Sequence, residues 1–246
     1  MSYVLTVSPD FTPKHIAGWY IFNTWLQLQT DLAIHLELYD SFKQQRNAIS
    51  DDKIDLIYAN PYDAAMLVRE KSFTALVAPL SKADETIIAC QKDYPISNIE
   101  GLKENLNIIT TDDPDVHLMG MMMLEPADLD EGNTNIKEVS SYVLVAKHLM
   151  QGNADIGFFL KDAYNDLSNL IKDELQVLIG SEIQIIRHIL LASPRLEEHH
   201  DKLKNILTGM QSDPKGPNVL TSMGFSGWEE QSQEDTEFMI DLMDAL

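Results

Sequence analysis

The sequence contains a single cysteine, Cys90, and few basic residues, and these shortages exclude several classes of protein. One cysteine cannot form an internal disulfide, so cysteine usage leaves the redox compartment open. Eighteen bases stand against 39 acids, which gives a formal net charge of −21. Such a charge repels nucleic acid phosphates and anionic lipid surfaces. We therefore expect no nucleic acid partner.

The sequence also lacks a long apolar run and a recognisable leader segment. No stretch reaches the roughly 18 apolar residues that a membrane-spanning helix needs, so we expect no insertion into a membrane. Met1–Val7 enters a predicted strand with no basic and apolar region before it. As written, the chain is expected to be cytoplasmic, and it is expected to be periplasmic if a signal peptide has been removed.

Motifs that carry catalysis are missing as well. The sequence has no Gly-x-Ser-x-Gly, no glycine-rich phosphate loop, no His-Glu-x-x-His and no paired cysteines. Cys90 falls in a predicted hinge strand and is interpreted as a small buried hydrophobe rather than a nucleophile. We expect a protein that is not an enzyme and that needs no cofactor.

The sequence does contain a repeated strand-to-helix design. In Asp51–Glu70 a buried strand, Ile54–Ala59, runs into Asn60-Pro61, which breaks the strand and places Tyr62 in the first turn of a helix. A second copy lies at Gly152–Phe159. In open α/β sheets such strand ends are where ligands bind, because free backbone N–H groups point outward there.

Strands and helices alternate along the whole chain, which predicts parallel sheets with helices on both faces. Its 246 residues suit one large domain or two lobes of about 120 residues. The predicted first helix has Thr12 as its N-cap. The predicted strands are Tyr3–Val7, Ala33–Tyr39, Ile54–Ala59, Phe73–Pro79, Thr86–Gln91, Leu106–Thr110, Asn135–Val139, Asp155–Phe159, Leu175–Ile179 and a long return strand, Glu182–Ala192. Two crossings imply a hinge, with residues 1–84 and 188–246 in lobe I and residues 85–187 in lobe II.

Four stretches, taken in order, resemble motifs of one protein family. They are DDKIDLIYANPYDAAMLV, YPISNIEGLKENLNIITTDDPD, SYVLVAKHLMQGNADIGF and LLASPRLEEHHDKLKNILTGMQSDPKGPNVLTSMGFSGW. In these four stretches the chain resembles the phosphonate/phosphite substrate-binding proteins of ABC transporters. The resemblance implies a two-lobed type 2 periplasmic-binding-protein fold, with mainly parallel sheets joined by two hinge strands. It also implies lobes that close on a small ligand and a membrane transporter as partner.

The chain departs from this family where the ligand would bind. Phosphonate-binding members resemble one another in a Ser/Thr-Ser-Gly loop at a helix N-terminus in the second lobe, and here that loop reads Thr111-Asp112-Asp113-Pro114-Asp115. Two like charges about 4 Å apart cost roughly 4 kcal/mol at an effective dielectric near 20. The family histidine is Tyr142, and the family acid after the second-lobe aspartate is Leu160. We expect the family scaffold with a neutral or cationic organic ligand instead of a phosphonate.

The candidate ligand-binding residues follow from these positions, and each has a packing alternative. We expect a ligand to be held in the cleft between the lobes. The candidates are His15, Trp19, Tyr20, Asn60, Tyr62, Asp112, Asp113, His117, Tyr142 and Phe159. Aromatic residues at helical spacing are more often core, and an asparagine before a proline is often only a turn residue.

A metal site at the acidic turn is the weaker interpretation. Asp112, Asp113, Asp115 and His117 precede Met119 and Met121–Met123, but carboxylates and thioethers suit different metals and no closed ligand set has a recognisable spacing. The acids instead favour a helix N-terminus, and the methionines favour core packing. We expect no bound metal.

Two other functions stay open. A protein that kept the fold and lost its ligand would use its acidic surface and the tail around Trp228 to bind a basic partner. An enzyme on this scaffold would show turnover that disappears in Asp113→Ala or Tyr142→Phe.

Overall fold

The computed structural model describes residues 2–10 and 13–245, and of Pro13 it describes the backbone alone. The expected N-cap Thr12 lies outside these residues. The strands are β1 (Ser2–Val7), β2 (Ala33–Leu36), β3 (Leu56–Ala59), β4 (Thr74–Pro79), β5 (Thr86–Gln91), β6 (Asn107–Thr110), β7 (Asn135–Glu138), β8 (Ile156–Leu160), β9 (Leu175–Gly180), β10 (Ile189–Ala192) and β11 (Trp228–Glu230).

Helices separate most of these strands. The α-helices are α1 (Ile16–Thr30), α2 (Phe42–Ser50), α3 (Pro61–Arg69), α4 (Pro114–Leu124), α5 (Tyr142–Met150), α6 (Lys161–Asn165), α7 (Asn169–Lys172), α8 (His200–Thr208), α9 (Gly216–Met223) and α10 (Gln233–Asp244). Short 3-10 helices cover Pro13–His15, Ile99–Gly101, Glu125–Ala127, Pro194–His199 and Met210–Ser212. Within the described part of the chain, no helix is long and apolar enough to cross a membrane.

The chain folds into two compact units. Unit 1 runs to Ala83 and resumes at Ile185, and unit 2 runs from Asp84 to Gln184. The chain therefore passes twice from one unit to the other, and both crossings fall outside the strands.

Unit 1 contains a six-stranded sheet in the order β11-β4-β10-β3-β1-β2. Strands β2 and β3 run parallel to β1, whereas β10 is inserted antiparallel between β3 and β4, and β11 is antiparallel to β4. Because Ile189 at the start of β10 pairs with Ala59 at the end of β3, the residues before β10 lie at the edge where β1 and β3 end.

Helices cover both faces of this sheet. Trp19 and Phe22 of α1 pack on one face with Phe225 and Trp228 from the tail. On the other face, residues of α2, α3 and α10 form a second cluster that includes Ile240. The tail is thus part of the core of unit 1.

Unit 2 contains a five-stranded sheet in the order β7-β6-β8-β5-β9. Strand β6 runs parallel to β7 and β8, and β5 is antiparallel to β8 and β9. Phe158 and Phe159 are consecutive strand residues, so they point to opposite faces. Phe158 packs in the cluster that includes Val116 of α4, and Phe159 packs in the one that includes Val145 of α5.

The prediction of a continuous strand from Glu182 to Ala192 is wrong, because only Ile189–Ala192 forms a strand. The Glu85 carboxylate accepts hydrogen bonds from the backbone amides of Ile183 (3.2 Å) and Gln184 (2.8 Å) and from the Ser181 hydroxyl. These amides have a side-chain acceptor in place of a strand partner. Gln184 also has a φ of 62°, which no β-strand accommodates.

Other elements also differ from a simple alternation of long strands and helices. The predicted strand Ala33–Tyr39 is shorter, since β2 ends at Leu36. The segment after β10 is divided into a 3-10 helix and α8, and the one after β8 is divided into α6 and α7. Strand β11 was not predicted, because three residues are too few to show an alternating pattern.

Candidate functional site

In unit 1, Asn60 joins the end of β3 to α3. Its backbone is extended (φ −67°, ψ 161°), and its side-chain Oδ1 accepts a 2.7 Å hydrogen bond from the Asp63 amide, so it caps the helix. Pro61 occupies the first helical position, where a missing N–H costs nothing. Asn60 is fully buried, and its amide nitrogen Nδ2 has no hydrogen-bond partner among the described residues.

Asp63 and Arg46 form an ion pair beneath this turn. Arg46 Nε donates to Asp63 Oδ1 at 2.6 Å, and the Asp63 side chain is buried. Burial raises the pKa of Asp63, and the hydrogen bond and charge of Arg46 offset only part of that rise. The Arg46 guanidinium also lies 5.0 Å from the centre of the Tyr62 ring and holds the ring in place. Tyr62 is nevertheless 51% exposed.

A second buried pair lies at the same sheet edge. His188 Nε2 lies 2.9 Å from Asp10 Oδ2, and the His188 ring stacks on Tyr58 with centroids 4.9 Å apart. Burial alone would raise the pKa of Asp10, but the charge and hydrogen bond of His188 outweigh it and lower that pKa. His188 is thus a buried imidazole with a partner.

In unit 2, Asp113 caps α4. Its Oδ1 accepts from the amides of Asp115 (3.2 Å) and Val116 (3.3 Å), and its Oδ2 accepts from the Tyr142 hydroxyl at 2.7 Å. The side chains of Asp113 and Asp115 are buried. Thr111 precedes this turn, and its hydroxyl is buried without a hydrogen-bond partner in the part of the chain that the structure describes. The helix N-terminus is therefore occupied by the protein's own carboxylate.

Phe159 positions Tyr142 and does not face solvent. The two rings stack with centroids 6.1 Å apart, and Phe159 is fully buried against Tyr164. Ser141 caps α5 through its side chain, so Tyr142 is the first residue of that helix.

The other two candidates of the acidic turn lie nearer the surface. His117 Nε2 lies 2.8 Å from Glu131 Oε1, and Asp112 is exposed. The methionines of α4 contribute to the core, since Met119 and Met123 are buried and Met121 and Met122 pack against it. The methionines thus pack as the sequence predicted for them.

The three candidates from the start of the chain have different environments. Trp19 is 1% exposed in the aromatic core of unit 1, whereas Tyr20 is 54% exposed. His15 is partly buried, with Nδ1 3.1 Å from the Ser222 carbonyl oxygen. Only Tyr20 of the three presents a large free surface.

Within unit 1 the structure brings Asn60 and Tyr62 together, and within unit 2 it joins Asp113, Tyr142 and Phe159. Sequence reasoning missed Asp10 as a polar group of the unit 1 site. Asp10 follows β1 as Asn60 follows β3, so the strand-end rule could have found it. It missed Arg46 too, and no local signal marks Arg46, because its partner Asp63 lies in a different helix.

Cys90 is buried in β5, and burial raises the pKa of its thiol to about 11. Such a thiol is protonated at neutral pH and is a poor nucleophile.

Two α/β units joined by two chain crossings, with polar turns at the ends of parallel strands, define a protein of the solute-binding class. The sequence matches the family model described as "ABC transporter, phosphonate, periplasmic substrate-binding protein" over residues 5–236. The chain therefore belongs to this family, which confirms the resemblance seen in the sequence. No curated protein matches the chain in sequence.

Solved structures share the fold at low sequence identity. PhnD1 from Prochlorococcus marinus, solved with methylphosphonate, has a TM-score of 0.81 at 15% identity and covers 100% of this chain and 99% of its own. A phosphonate transporter binding protein from Pseudomonas aeruginosa has a TM-score of 0.77 at 14% identity, and the match covers 99% of this chain and 87% of that one. The aliphatic sulphonate binding protein SsuA from Escherichia coli has a TM-score of 0.69 at 13% identity, and the match covers 99% of this chain and 91% of that one. These likenesses confirm the type 2 periplasmic-binding-protein fold.

Proposed function

We propose that this protein acts by binding rather than by catalysis, and that its ligand is a small neutral or cationic organic molecule. Membership of the family supports a substrate-binding component of an ABC transporter. The finer proposal is that the bound solute is handed to a membrane transporter from the periplasm. The ligand class rests on the charges at the two strand-to-helix turns.

The observation that carries the ligand class is the presence of buried carboxylates at both turns. Asp63 lies in the first turn of α3, and Asp113 and Asp115 lie at the start of α4. Anion-binding proteins use helix N-termini because their amides are free and their dipole is positive. Here Asn60 and Asp113 accept hydrogen bonds from those amides, and the acids add negative charge. An oxyanion would be repelled at the α4 turn, and at the α3 turn the one nearby cation, Arg46, is already paired with Asp63.

The exposed aromatic rings suit an organic cation or a neutral ring. In unit 1 we propose that Tyr20 and Tyr62 contact the ligand, with Asn60 Nδ2 as a donor and His15 beside them. In unit 2 we propose Asp112, Asp113, His117 and Tyr142. Aromatic faces attract cations, and nearby carboxylates strengthen that attraction. Trp19 and Phe159, both buried, would support these residues from the core.

A thermal-shift screen followed by calorimetry tests the proposal. The panel contains quaternary ammonium compounds, primary amines, amino acids, neutral sugars, methylphosphonate and inorganic phosphate. A ligand at a hundred times its Kd stabilises the fold by about 2.7 kcal/mol, which moves the midpoint by several degrees. We expect a shift with an amine or a neutral compound and none with the two oxyanions.

Variants connect any hit to the proposed residues. Tyr62→Ala is expected to weaken binding at least tenfold, whereas Phe238→Ala, which removes an equally exposed ring from α10, is expected to leave it unchanged. Tight binding of phosphate or methylphosphonate by the unaltered protein would refute the ligand class.

The alternative function, binding of a basic partner through the tail, relied on Trp228 as a surface contact. Trp228 is buried in the core of unit 1, so its indole is not available on the surface.

A further inference from the structure

We propose that the Asp113 carboxylate acts as an internal anion. It occupies the position at the N-terminus of α4 where an oxyanion ligand would bind in unit 2, and it thereby determines specificity. The inference rests on the proposed ligand class and explains how an anion-binding scaffold comes to reject anions. It assigns the larger part of the rejection to the one side chain that blocks the α4 amides, rather than to Asp115 or to the overall negative charge.

The hydrogen bonds of Asp113 are those expected for a bound oxyanion. Two backbone amides at the N-terminus of α4, from Asp115 and Val116, donate to Oδ1, and the Tyr142 hydroxyl donates to Oδ2. Two amides and one hydroxyl converging on one charged group is the arrangement that holds phosphate oxygens at helix N-termini. Here a residue of the chain itself receives all three.

Two hydroxyls at the end of β6, just before the Asp113 turn, have no partners. Thr110 ends β6 and is 0% exposed, and Thr111 follows it and is 6% exposed. Neither Oγ1 atom has a hydrogen-bond partner within residues 2–10 and 13–245. Buried hydroxyls are ordinarily paired, because an unpaired one carries a free-energy cost. The strand that leads into this turn therefore ends in donors that Asp113 leaves unpaired.

The carboxylate excludes an oxyanion by position and by charge. An anion cannot reach the two α4 amides while Oδ1 occupies them. Two like charges about 4 Å apart near a protein surface repel by an amount equivalent to roughly a thousandfold in Kd. Removing this one carboxylate is therefore expected to create affinity for oxyanions.

The test is a gain of binding. Asp113→Ser keeps a side chain that caps helices well but removes the charge and shortens the acceptor. Asp113→Asn removes the charge and leaves an amide oxygen at the α4 amides. Glu125→Gln is the matched control, because it removes one negative charge from an exposed side chain at the other end of the same helix. Calorimetry with methylphosphonate, inorganic phosphate and sulfate measures the Kd for each variant.

We expect Asp113→Ser to bind at least one of the three anions a hundredfold or more tighter than the unaltered protein does. Asp113→Asn should gain less, since its oxygen still occupies the α4 amides, and Glu125→Gln should gain less than threefold. Circular dichroism checks that each variant is folded. If Asp113→Ser does not fold, a gain by Asp113→Asn over Glu125→Gln still supports the inference.

Two results would overturn it. One is a folded Asp113→Ser, or a folded Asp113→Asn where the serine variant fails, that binds none of the three anions. The other is an equal gain in Glu125→Gln, which would assign the rejection to net charge. The proposed function fails separately: no amine or neutral ligand is found for the unaltered protein while Asp113→Ser still gains anion binding.

Discussion

The Tyr142 hydroxyl donates a 2.7 Å hydrogen bond to the Asp113 carboxylate, and so joins the first residue of α5 to the N-cap of α4. The family histidine expected at position 142 is replaced by a residue that can only donate to an ionised carboxylate from its O–H. Two of the three departures from the family pattern thus form one interaction, in which Asp113 and Tyr142 satisfy each other.

The first prediction concerns this bond. Tyr142→Phe should lower the free energy of unfolding of unit 2 by about 1.5–3 kcal/mol, the range for a hydrogen bond to a charged group. Urea denaturation measures the change. Tyr20→Phe, which removes a hydroxyl from an exposed ring, should change stability by less than about 0.5 kcal/mol. Equal effects of the two substitutions would contradict the assignment.

The second prediction is a pH dependence from Asp10 and His188. Because the folded state lowers the pKa of Asp10 below its ordinary 3.8, its carboxylate stabilises unit 1 above that pH, and the stabilisation is lost as pH falls through the lowered pKa. Asp10→Asn should cost about 3 kcal/mol at pH 7, since it leaves His188 without its buried partner. The difference from the unaltered protein should shrink below pH 3.8.

Urea unfolding at a series of pH values between 7 and 2.5 measures this difference. Asp40→Asn, at an exposed position, controls for the general effect of removing an acid. A cost of Asp10→Asn that stays constant down to pH 2.5 would show that the ion pair is not its source.

The third prediction concerns Arg46 and Asp63. Burial raises the folded pKa of Asp63, so its charged form costs stability above that pKa and the cost disappears as pH falls through it. Arg46→Met removes the group that limits this cost. At pH 7.5 it should destabilise unit 1 by about 2 kcal/mol, less than for a fully buried pair because Arg46 is one-third exposed.

This loss should become smaller towards pH 4, where Asp63 takes up a proton. Lys43→Met removes an exposed cation from the same helix, and it should show neither the loss nor the pH dependence. Chemical denaturation at pH 7.5 and pH 4 distinguishes the two variants. A loss for Arg46→Met that is the same at both pH values would argue against Asp63 as its cause.

The fourth prediction tests the close packing of α1 on α9. A Cβ placed on Gly18 would lie 2.2 Å from the backbone oxygen of Ser222, and a backbone cannot move aside as a flexible side chain can. Gly18→Ala should therefore destabilise unit 1 by about 2 kcal/mol or more, although alanine is the better helix former. Calorimetric melting measures it against Gly180→Ala, whose added Cβ would meet its nearest atom at 3.6 Å.

Much of the fold could be predicted because its signals are local. Proline, a capping side chain and a short apolar run fix the turn at Asn60 within a few residues, and the structure has β3, the Asn60 cap and α3 in that order. The same local rule accounts for α2, which Ser41 caps by accepting a hydrogen bond from the Gln44 amide. Four short motifs in order were enough to indicate the family that the family model confirms.

The predictions from sequence failed where a residue far away in the sequence determines the local structure. A run as apolar as Glu182–Ala192 predicts a strand by pattern, but whether it pairs depends on what its amides meet, and they meet Glu85 almost 100 residues away. The antiparallel insertion of β10 between β3 and β4 is likewise decided by the return path of the chain. No local pattern specifies either outcome.

The sequence by itself determined the alternation of strands and helices, the family and the presence of acids at both strand-to-helix turns. Only the tertiary structure decided what those acids do: Asp63 pairs with Arg46, 17 residues away, and Asp113 accepts from Tyr142, 29 residues away. The physical reason is one of range. Backbone preferences and capping act over a few residues, whereas the pKa and hydrogen-bond partners of a buried carboxylate depend on side chains that the completed fold brings beside it.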